Sequence, residues 1–123
     1  AKAIATGSYG VAEAQGYTDG ETFPFELALA NCRQIVGVTD LPVSVDIEAG
    51  YGPAAEDVAR AAAAMAGAGA VGVNLEDRAP GETALLPLAE AAARAAAAAS
   101  AGVWVNARTD VYRGKLPADY PPA

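Results

Sequence analysis

The chain has 123 residues, 53% of them hydrophobic and 19% charged, a composition typical of one globular domain and not of a disordered chain. Acidic residues outnumber basic ones by 15 to 8, so a nucleic-acid partner is unexpected and small molecules or hard cations are favoured. Cys occurs once and His not at all, which excludes a disulfide framework, the usual zinc sites and His-based catalysis. The Ala-rich runs are too short to span a membrane, and no signal peptide is recognisable, so we expect a soluble, cytoplasmic protein without a membrane partner.

Hydrophobic runs with strand character alternate with helical segments along the chain. Strands are predicted at residues 3–8, 42–48, 70–77 and 103–110. Helices are predicted at residues 24–36, 54–66 and 82–99. Because the units repeat about every 30 residues, the usual spacing of βαβ units, the sequence predicts a parallel sheet and an α/β fold.

Each predicted strand is hydrophobic on one face, and the other face becomes polar toward the C-terminal end. In the second strand Ser44, Asp46 and Glu48 share the polar face, because side chains alternate with a period of two. A sheet buried on both faces would be hydrophobic throughout, so a barrel that opens onto a site at its strand ends fits better. Four βα units are half of a (β/α)8 TIM barrel. We therefore expect residues 1–123 to form one partial barrel domain, either a fragment or a half completed by another chain.

Acidic side chains cluster at the ends of two neighbouring predicted strands. Asp46 and Glu48 lie on one strand face with Cα atoms about 6.6 Å apart, where two anions repel unless a cation lies between them. Glu76 ends the next strand at the same level, with Asn74 beneath it on the same face. Such oxygen ligands suit Mg²⁺ better than Zn²⁺. The sequence favours a Mg²⁺ site over the alternative, a solvated strand end with incidental acids.

Two further elements are candidates for anion binding. Arg108, on the polar face of the fourth strand, can bind a substrate carboxylate or form a structural salt bridge to Asp110 or Glu76, and both roles stay open. Small residues after the first strand allow backbone amides to approach an anion, although a plain turn is the alternative. These residues are Thr6, Gly7, Ser8, Tyr9 and Gly10.

The glycines between residues 67 and 72 match the dinucleotide-binding fingerprint in letters but not in context. The fingerprint follows a strand and opens a helix, whereas here a helix precedes and a strand follows. We interpret Gly67 and Gly69 as a helix stop with close helix–strand packing and reject NAD binding. Cys32 is interpreted as a small buried hydrophobe, because no base accompanies it in the sequence.

Five motifs resemble the isocitrate lyase/phosphoenolpyruvate mutase superfamily, in its order and spacing and over essentially the whole chain. They are Ala-Thr-Gly-Ser at 5–8, Gly-Tyr-Thr-Asp-Gly at 16–20, Val-Asp-Ile-Glu-Ala-Gly-Tyr-Gly at 45–52, Gly-Val-Asn-Leu-Glu-Asp at 72–77 and Asn-Ala-Arg-Thr-Asp at 106–110. The resemblance implies strands two to five of a (β/α)8 barrel that is a homo-oligomer when complete. It also implies a Mg²⁺ cofactor and a small 2-oxo or enol carboxylate substrate, which reacts through an enolate-like species stabilised by Mg²⁺.

The resemblance also implies roles for individual residues. Asp46 would be the direct Mg²⁺ ligand, with Glu48 and Glu76 acting largely through metal-bound water. Asp19 would help to form the same metal site, and Arg108 would contact the substrate and its developing negative charge. The substrate-binding set is Thr6, Gly7, Ser8, Tyr9, Asn74 and Arg108, with the backbone of Gly7 and Ser8 holding the substrate carboxylate.

The loop after the third predicted strand departs from the lyase branch of that superfamily. The lyase branch carries a Lys-Cys-Gly-His type motif there, with Cys as the general acid, whereas residues 78–83 read Arg-Ala-Pro-Gly-Glu-Thr. The reaction is therefore left open between C–C and P–C bond chemistry by a lyase, mutase or hydrolase. The alternative to an enzyme is a non-catalytic barrel fragment or assembly module.

Overall fold

The computed structural model describes residues 1–79, 82 and 84–111, which form a four-stranded sheet with helices between the strands. The predicted α/β class is confirmed. The strands are β1 (Ile4–Ala5), β2 (Val43–Asp46), β3 (Gly72–Glu76) and β4 (Trp104–Arg108). The helices are α1 (Ser8–Ala14), α2 (Phe25–Val36), α3 (Ala55–Gly67) and α4 (Leu88–Ala99).

Each strand lies parallel to the next one in chain order, from β1 to β4. Val45 of β2 pairs with Val73 of β3, and Val73 pairs with Val105 of β4, so equivalent side chains form rows across the strands. Parallel neighbours in chain order, with a helix in each connection, are the arrangement of consecutive units of a (β/α)8 barrel. The C-terminal ends of the strands consequently meet at one edge of the sheet.

One face of the sheet packs beneath the helices and forms the hydrophobic core. Val43, Val45 and Ile47 are at most 5% exposed, as are Val73 and Leu75. Burial of a side chain of this size stabilises a fold by about 1.5–3 kcal/mol, so the hydrophobic face is fixed and the polar face is left for chemistry. The helices add to this core Leu29, Cys32, Val58, Ala62 and Met65.

Two helices begin where the sequence did not predict them. The strand predicted at 3–8 is wrong in its second half, because β1 ends at Ala5 and Ser8 begins α1. The helix predicted from residue 82 begins only at Leu88, since Pro87 lacks an amide proton and its ring would collide with a preceding helical turn. Residue 83 of that prediction lies outside the described residues. None of the helices in the described segments is long and apolar enough to cross a membrane.

Gly67 and Gly69 mark the predicted helix stop, but the close packing at Gly69 is against helix α2 and not against a strand, and a Cβ atom on Gly67 would meet nothing within 4 Å. Gly67 ends the helix, and Gly69 has a φ of 99°. A Cβ atom on Gly69 would lie 2.7 Å from Cγ1 of Val36 in α2, so the backbone passes too close to that helix for a side chain. The predicted helix stop is therefore confirmed. Cys32 is 1% exposed, which confirms it as a buried hydrophobe, and burial raises the pKa of its thiol.

Candidate active site

Polar side chains form two rows on the open face of the sheet, at the C-terminal ends of β2, β3 and β4. In the first row Asp46, Asn74 and Asn106 are neighbours in the strand register. Nδ2 of Asn106 donates to Oδ1 of Asn74 at 2.6 Å. In the second row Glu76 is the register partner of Arg108. The alternation within each strand thus brings side chains from three strands to one edge of the sheet.

The carboxylate of Asp46 joins the end of β2 to the end of β1. Its Oδ1 accepts the amide of Glu48 at 2.9 Å, and its Oδ2 accepts the amide of Ser8 at 3.3 Å. The amide of Asp46 donates to Oγ1 of Thr6 at 3.0 Å. Since the Asp46 side chain is only 7% exposed, these contacts fix its orientation beside the segment predicted to hold the substrate carboxylate.

Glu48 is 5% exposed and lies in the turn after β2, not on the strand as predicted, because β2 ends at Asp46 and Glu48 has a φ of 51°. Its Oε2 accepts the amides of Gly20, at 3.0 Å, and of Glu21. Burial raises the pKa of Glu48 to about 7, although the amide of Glu21 lowers it. The charges of Asp19, Glu21 and Asp46 add to the rise. Glu48 therefore lies among negative charges that a bound cation would balance.

Arg108 contacts carboxylates from two strands and from the loop that follows β4. Its Nη2 pairs with Oε1 of Glu76, its Nε donates to Oδ1 of Asp110 at 3.0 Å, and its Nη1 lies 3.9 Å from Oδ2 of Asp46. Burial lowers the pKa of Arg108, but the hydrogen bond to Asp110 and the charge of Glu76 outweigh it and raise that pKa. The structural salt bridges are thus present, and the substrate contact of Arg108 stays a prediction.

Asp110 and Arg78 extend this network beyond the residues predicted for the site. Asp110 is 3% exposed and forms an ion pair with Arg108. Its Oδ2 also lies 2.6 Å from Nε of Arg78. The amide of Asp110 donates to Oδ1 of Asp77 at 2.9 Å, and Oγ1 of Thr109 donates to Oδ2 of Asp77 at 2.6 Å. The buried carboxylate of Asp110 thus pairs with two guanidinium groups, and its hydrogen bonds orient that of Arg108.

A cleft of about 420 Å³ opens at this edge of the sheet. Three of the four predicted metal ligands line it, namely Asp19, Glu48 and Glu76. The fourth, Asp46, lines an adjoining crevice of about 10 Å³ that shares Glu48 with the cleft. The fold therefore brings the four acids together from two strand ends and two loops.

The predicted substrate-binding residues occupy different positions relative to this cleft. Thr6 and Ser8 line the crevice, with Gly7 between them in the chain. Asn74 lies beside Asp46 in the first row of polar side chains. Tyr9 lies on α1, is 60% exposed and lines neither the cleft nor the crevice. The structure of this chain brings the residues before Tyr9 to the site and leaves Tyr9 outside it.

The four predicted metal ligands fit Mg²⁺ by the chemistry of their donor atoms. All are carboxylates, the ligand type that Mg²⁺ prefers, and Asp19, Glu48 and Glu76 share one cleft. Across residues 1–79, 82 and 84–111, no group of three or more acidic or Cys side chains is arranged to hold a metal ion as it stands. Arg108 lies between Asp46 and Glu76 and pairs with both. The metal-binding roles of the four acids stay predictions.

The turn that carries Glu48 is held from both sides by residues that the sequence did not indicate. Oε1 of Glu21 accepts the amide of Tyr51 at 2.9 Å. From the other side Arg94 of α4, only 2% exposed, donates three hydrogen bonds to backbone carbonyls of the turn. The carbonyl acceptors belong to Ala49, Gly52 and Pro53.

The raised pKa of Glu48 predicts a pH dependence of stability in the Mg²⁺-free protein. Folding raises this pKa from 4.5 to about 7, so between these values the folded protein keeps a proton that the unfolded chain has lost. The free energy of unfolding should therefore fall as the pH rises through this interval. Glu48→Gln removes the titration. In urea denaturation at several pH values, the stability of the wild type relative to this variant should decline from pH 4.5 to about 7.

The matched control for that measurement is Glu56→Gln, which changes an exposed acid in the first turn of α3. This variant should keep the pH profile of the wild type, because the side chain of Glu56 is exposed and lies outside the acidic cluster around Glu48. Parallel profiles for the wild type and Glu48→Gln would show that Glu48 is not the group responsible.

Comparison with known proteins identifies relatives of the chain. The sequence profile of the family described as phosphoenolpyruvate phosphomutase matches residues 1–122. A protein from Burkholderia cenocepacia J2315 assigned as a phosphonomutase has 46% identity and a TM-score of 0.90, over 98% of this chain and 51% of that one. Another protein from the same organism, assigned as a lyase or mutase, has 31% identity and a TM-score of 0.75, over 94% and 39%.

A further solved structure is similar in fold at lower identity. The complex of phosphonopyruvate hydrolase with oxalate and Mg²⁺ has a TM-score of 0.86 and 24% identity, over 94% of this chain and 43% of that one. No curated protein matches the chain. The chain covers about half of the length of the phosphonomutase-like protein and less than half of the lyase- or mutase-like one. These matches, together with the parallel order of the four strands, confirm the predicted partial (β/α)8 barrel.

Proposed function

The chain belongs to the phosphoenolpyruvate phosphomutase family, and we propose that the complete protein is a Mg²⁺-dependent enzyme acting on a small 2-oxo or hydroxy carboxylate. The superfamily resemblance based on the five motifs is confirmed by the profile match. The proposed reaction breaks or forms a C–C or P–C bond through an enolate-like intermediate. The observation that carries the proposal is the gathering of Asp46, Glu48, Glu76 and Arg108 at the edge where barrel enzymes place their active sites.

The acids around the cleft are proposed to hold Mg²⁺. Asp46 would bind it directly, Glu48 and Glu76 would act largely through bound water, and Asp19 would help to form the same site. When bound, Mg²⁺ supplies a Lewis acid that polarises the substrate carbonyl and stabilises negative charge beside it. Phosphonopyruvate hydrolase, which is similar in fold, was solved as a complex with oxalate and Mg²⁺, and this supports the same cofactor here.

Arg108 is proposed to bind the substrate and to offset the negative charge that develops during the reaction. Glu76 and Asp110 hold its guanidinium in place, while 25% of its side chain stays exposed. A cation that is already oriented needs little rearrangement when charge develops, so it stabilises the transition state more than a mobile one does. The backbone of Gly7 and Ser8 is proposed to hold the substrate carboxylate.

Among the candidate reactions, P–C bond chemistry is the first to test. The loop after β3 has neither the Cys nor the His of the lyase motif, and its residues 80, 81 and 83 lie outside the described residues. The protein assigned as a phosphonomutase is 46% identical to this chain, and the one assigned as a lyase or mutase is 31% identical. We therefore propose phosphonopyruvate as the first substrate, with C–C bond cleavage as the second candidate.

We also propose that the complete protein is cytoplasmic and that it is a homo-oligomer, the latter as the superfamily resemblance implies. A largely apolar groove of about 450 Å³ lies between α4 and the end of β4. Further barrel strands or a partner subunit would cover this groove. Sedimentation of the full-length protein would measure its oligomeric state. The groove is lined by residues that include Leu75, Leu86, Leu88, Ala95 and Val111.

Turnover by the full-length protein tests the proposed function. Phosphonopyruvate, oxaloacetate and 2,3-dimethylmalate should be assayed with Mg²⁺ and after chelation with EDTA. We expect turnover only with Mg²⁺, and we expect Arg108→Met to lower kcat/KM by about tenfold to a hundredfold, because a charge-assisted hydrogen bond to the substrate is lost. The matched control is Arg60→Met, which removes a 72% exposed guanidinium from α3 and should keep wild-type activity.

Two outcomes of this assay would contradict the proposal. Equal turnover with and without Mg²⁺ would remove the metal from the reaction, and full activity of Arg108→Met would remove the substrate contact. If the wild type turned over none of these compounds, the result would favour the alternative, a non-catalytic barrel module.

A further inference from the structure

Two loops at the cleft hold each other through reciprocal hydrogen bonds. The first loop, residues 18–22, lies before α2, and the second is the turn of residues 48–52 after β2. Oε2 of Glu48 accepts two amides of the first loop, one of them from Glu21. In return, Oε1 of Glu21 accepts the amide of Tyr51 at 2.9 Å. Each loop thus provides one carboxylate and also the amide donors for the carboxylate of the other loop.

Unusual backbone conformations are concentrated at the same contact. Glu21, Glu48 and Tyr51 have φ values of 60°, 51° and 58°, and within the described segments no other non-glycine residue has a positive φ. Such conformations persist at residues with side chains only where the surroundings hold them in place. The reciprocal hydrogen bonds supply that restraint, so the two loops are shaped for each other.

The contact also determines where two of the proposed metal ligands lie. Asp19 is two residues from Glu21 in the first loop, and Glu48 has its carboxylate oriented by the amides of that loop. Asp19, Glu21 and Glu48 line the same cleft. The ring of Tyr51 packs edge-on against Phe25 of α2 with centroids 5.0 Å apart, which ties the second loop to the helix that follows the first.

We propose that Glu21 is a positioning residue, whose carboxylate fixes the turn of residues 48–52 and so places Glu48 and Asp19 for cation binding. The inference rests on the proposed function, because it assigns to that cation site a residue outside the ligand set. Glu21 needs only an oxygen acceptor for this role and not a charge. Gln provides the same acceptor at the same side-chain length, whereas Gly provides none.

Three variants of the full-length protein test this role. Glu21→Gly removes the side chain but favours the left-handed backbone, so backbone strain cannot explain a defect. Glu21→Gln keeps the acceptor and removes the charge. Glu26→Ala changes an exposed acid of α2 and is the control. For each variant, Mg²⁺ affinity is measured from the Mg²⁺-dependent rise in Tm, and hydrogen exchange at the Tyr51 amide is measured without Mg²⁺.

Glu21→Gly should raise the Mg²⁺ concentration for a half-maximal Tm shift by about tenfold to a hundredfold, the range found for residues that orient metal ligands. Exchange at the Tyr51 amide should become faster in the same variant. Glu26→Ala should match the wild type in both measurements. Glu21→Gln should keep wild-type exchange at the Tyr51 amide and lose less Mg²⁺ affinity than Glu21→Gly, because it removes one negative charge beside the cleft but keeps the acceptor. Unchanged Mg²⁺ affinity in Glu21→Gly, or a Gln variant as defective as the Gly variant, would overturn the positioning role.

The same experiment separates this inference from the proposed function. A wild-type protein without any Mg²⁺ response would contradict the proposed function. Faster exchange at Tyr51 in Glu21→Gly would then still support the role of Glu21 in fixing the turn. Unchanged exchange at Tyr51 would overturn that role whatever the Mg²⁺ response of the wild type.

Discussion

Asp46→Asn is expected to lower kcat/KM of the complete protein by about 10²- to 10³-fold while the fold stays intact. The amides of Glu48 and Ser8 orient Asp46, and Asn keeps one oxygen acceptor at this position. The variant therefore removes the charge and one of the two hydrogen bonds that Asp46 accepts, because the amide nitrogen of Asn cannot accept one. Activity should fall because a neutral amide binds Mg²⁺ more weakly than a carboxylate does. Steady-state kinetics with Mg²⁺ and the best substrate of the wild type measures the effect.

The control for this variant is Asp40→Asn, which neutralises an exposed acid just before β2. It should keep wild-type activity, and circular dichroism should show the same helix content in both variants. Additional Mg²⁺ should restore part of the activity of Asp46→Asn if weaker metal binding is the cause. Wild-type activity of Asp46→Asn at low Mg²⁺ would show that its charge plays no part.

Arg94→Met is expected to lower the free energy of unfolding by about 3 kcal/mol, because three backbone carbonyls lose their hydrogen-bond donors. The hydrogen bond to the carbonyl of Ala49 is buried, so no water molecule replaces the lost donor there. Arg94 is 2% exposed, and its guanidinium reaches from α4 to the turn that begins at Glu48. Met occupies much of the volume of the Arg side chain, so the loss reports hydrogen bonds more than a cavity. Urea denaturation of the full-length protein measures it.

Two further variants define the cause of that loss. Arg60→Met removes an exposed guanidinium from α3 and should change stability by less than about 0.5 kcal/mol. Arg94→Lys keeps the charge, but one ammonium group cannot replace the forked donors of a guanidinium, so its stability should lie between the wild type and Arg94→Met. Equal stability of Arg94→Met and Arg60→Met would contradict the role of Arg94 in holding the turn.

The rows of polar residues could be predicted from the sequence because strand geometry determines them. Side chains alternate along a strand, so Asp46 and Glu76 had to face away from the hydrophobic positions beside them. Parallel pairing then brings Glu76 next to Arg108 without any further information. The fold class and the place of the site follow from such local rules.

Arg94 and Glu21 were missed because their partners lie far away in the chain. Arg94 donates to a carbonyl 45 residues before it, and the amide partner of Glu21 lies 30 residues after it. Neither contact leaves a periodic pattern in the sequence. One signal was available for Arg94, since it lies one helical turn before Ala98 in α4 and both are buried. An Arg on the buried face of an Ala-rich helix indicates a specific partner.

The short helix α1 was missed for a different reason. Gly7 and Gly10 favoured a turn, yet Ser8 begins a helix whose later residues, such as Ala12, are good helix formers and pack into the core. Packing of Ala12, which is fully buried, outweighs the glycines. This burial depends on the complete fold and not on the local sequence.

Calorimetric titration of the full-length protein with oxalate tests the proposed Mg²⁺-dependent carboxylate site most directly. Oxalate accompanies Mg²⁺ in the complex of phosphonopyruvate hydrolase, and its two adjacent carboxylates resemble the planar enolate of a 2-oxo acid. Oxalate should bind the wild type in the presence of Mg²⁺ and at least about tenfold more weakly after chelation of the metal. Equal binding with and without Mg²⁺, or no binding in its presence, would contradict the proposed site.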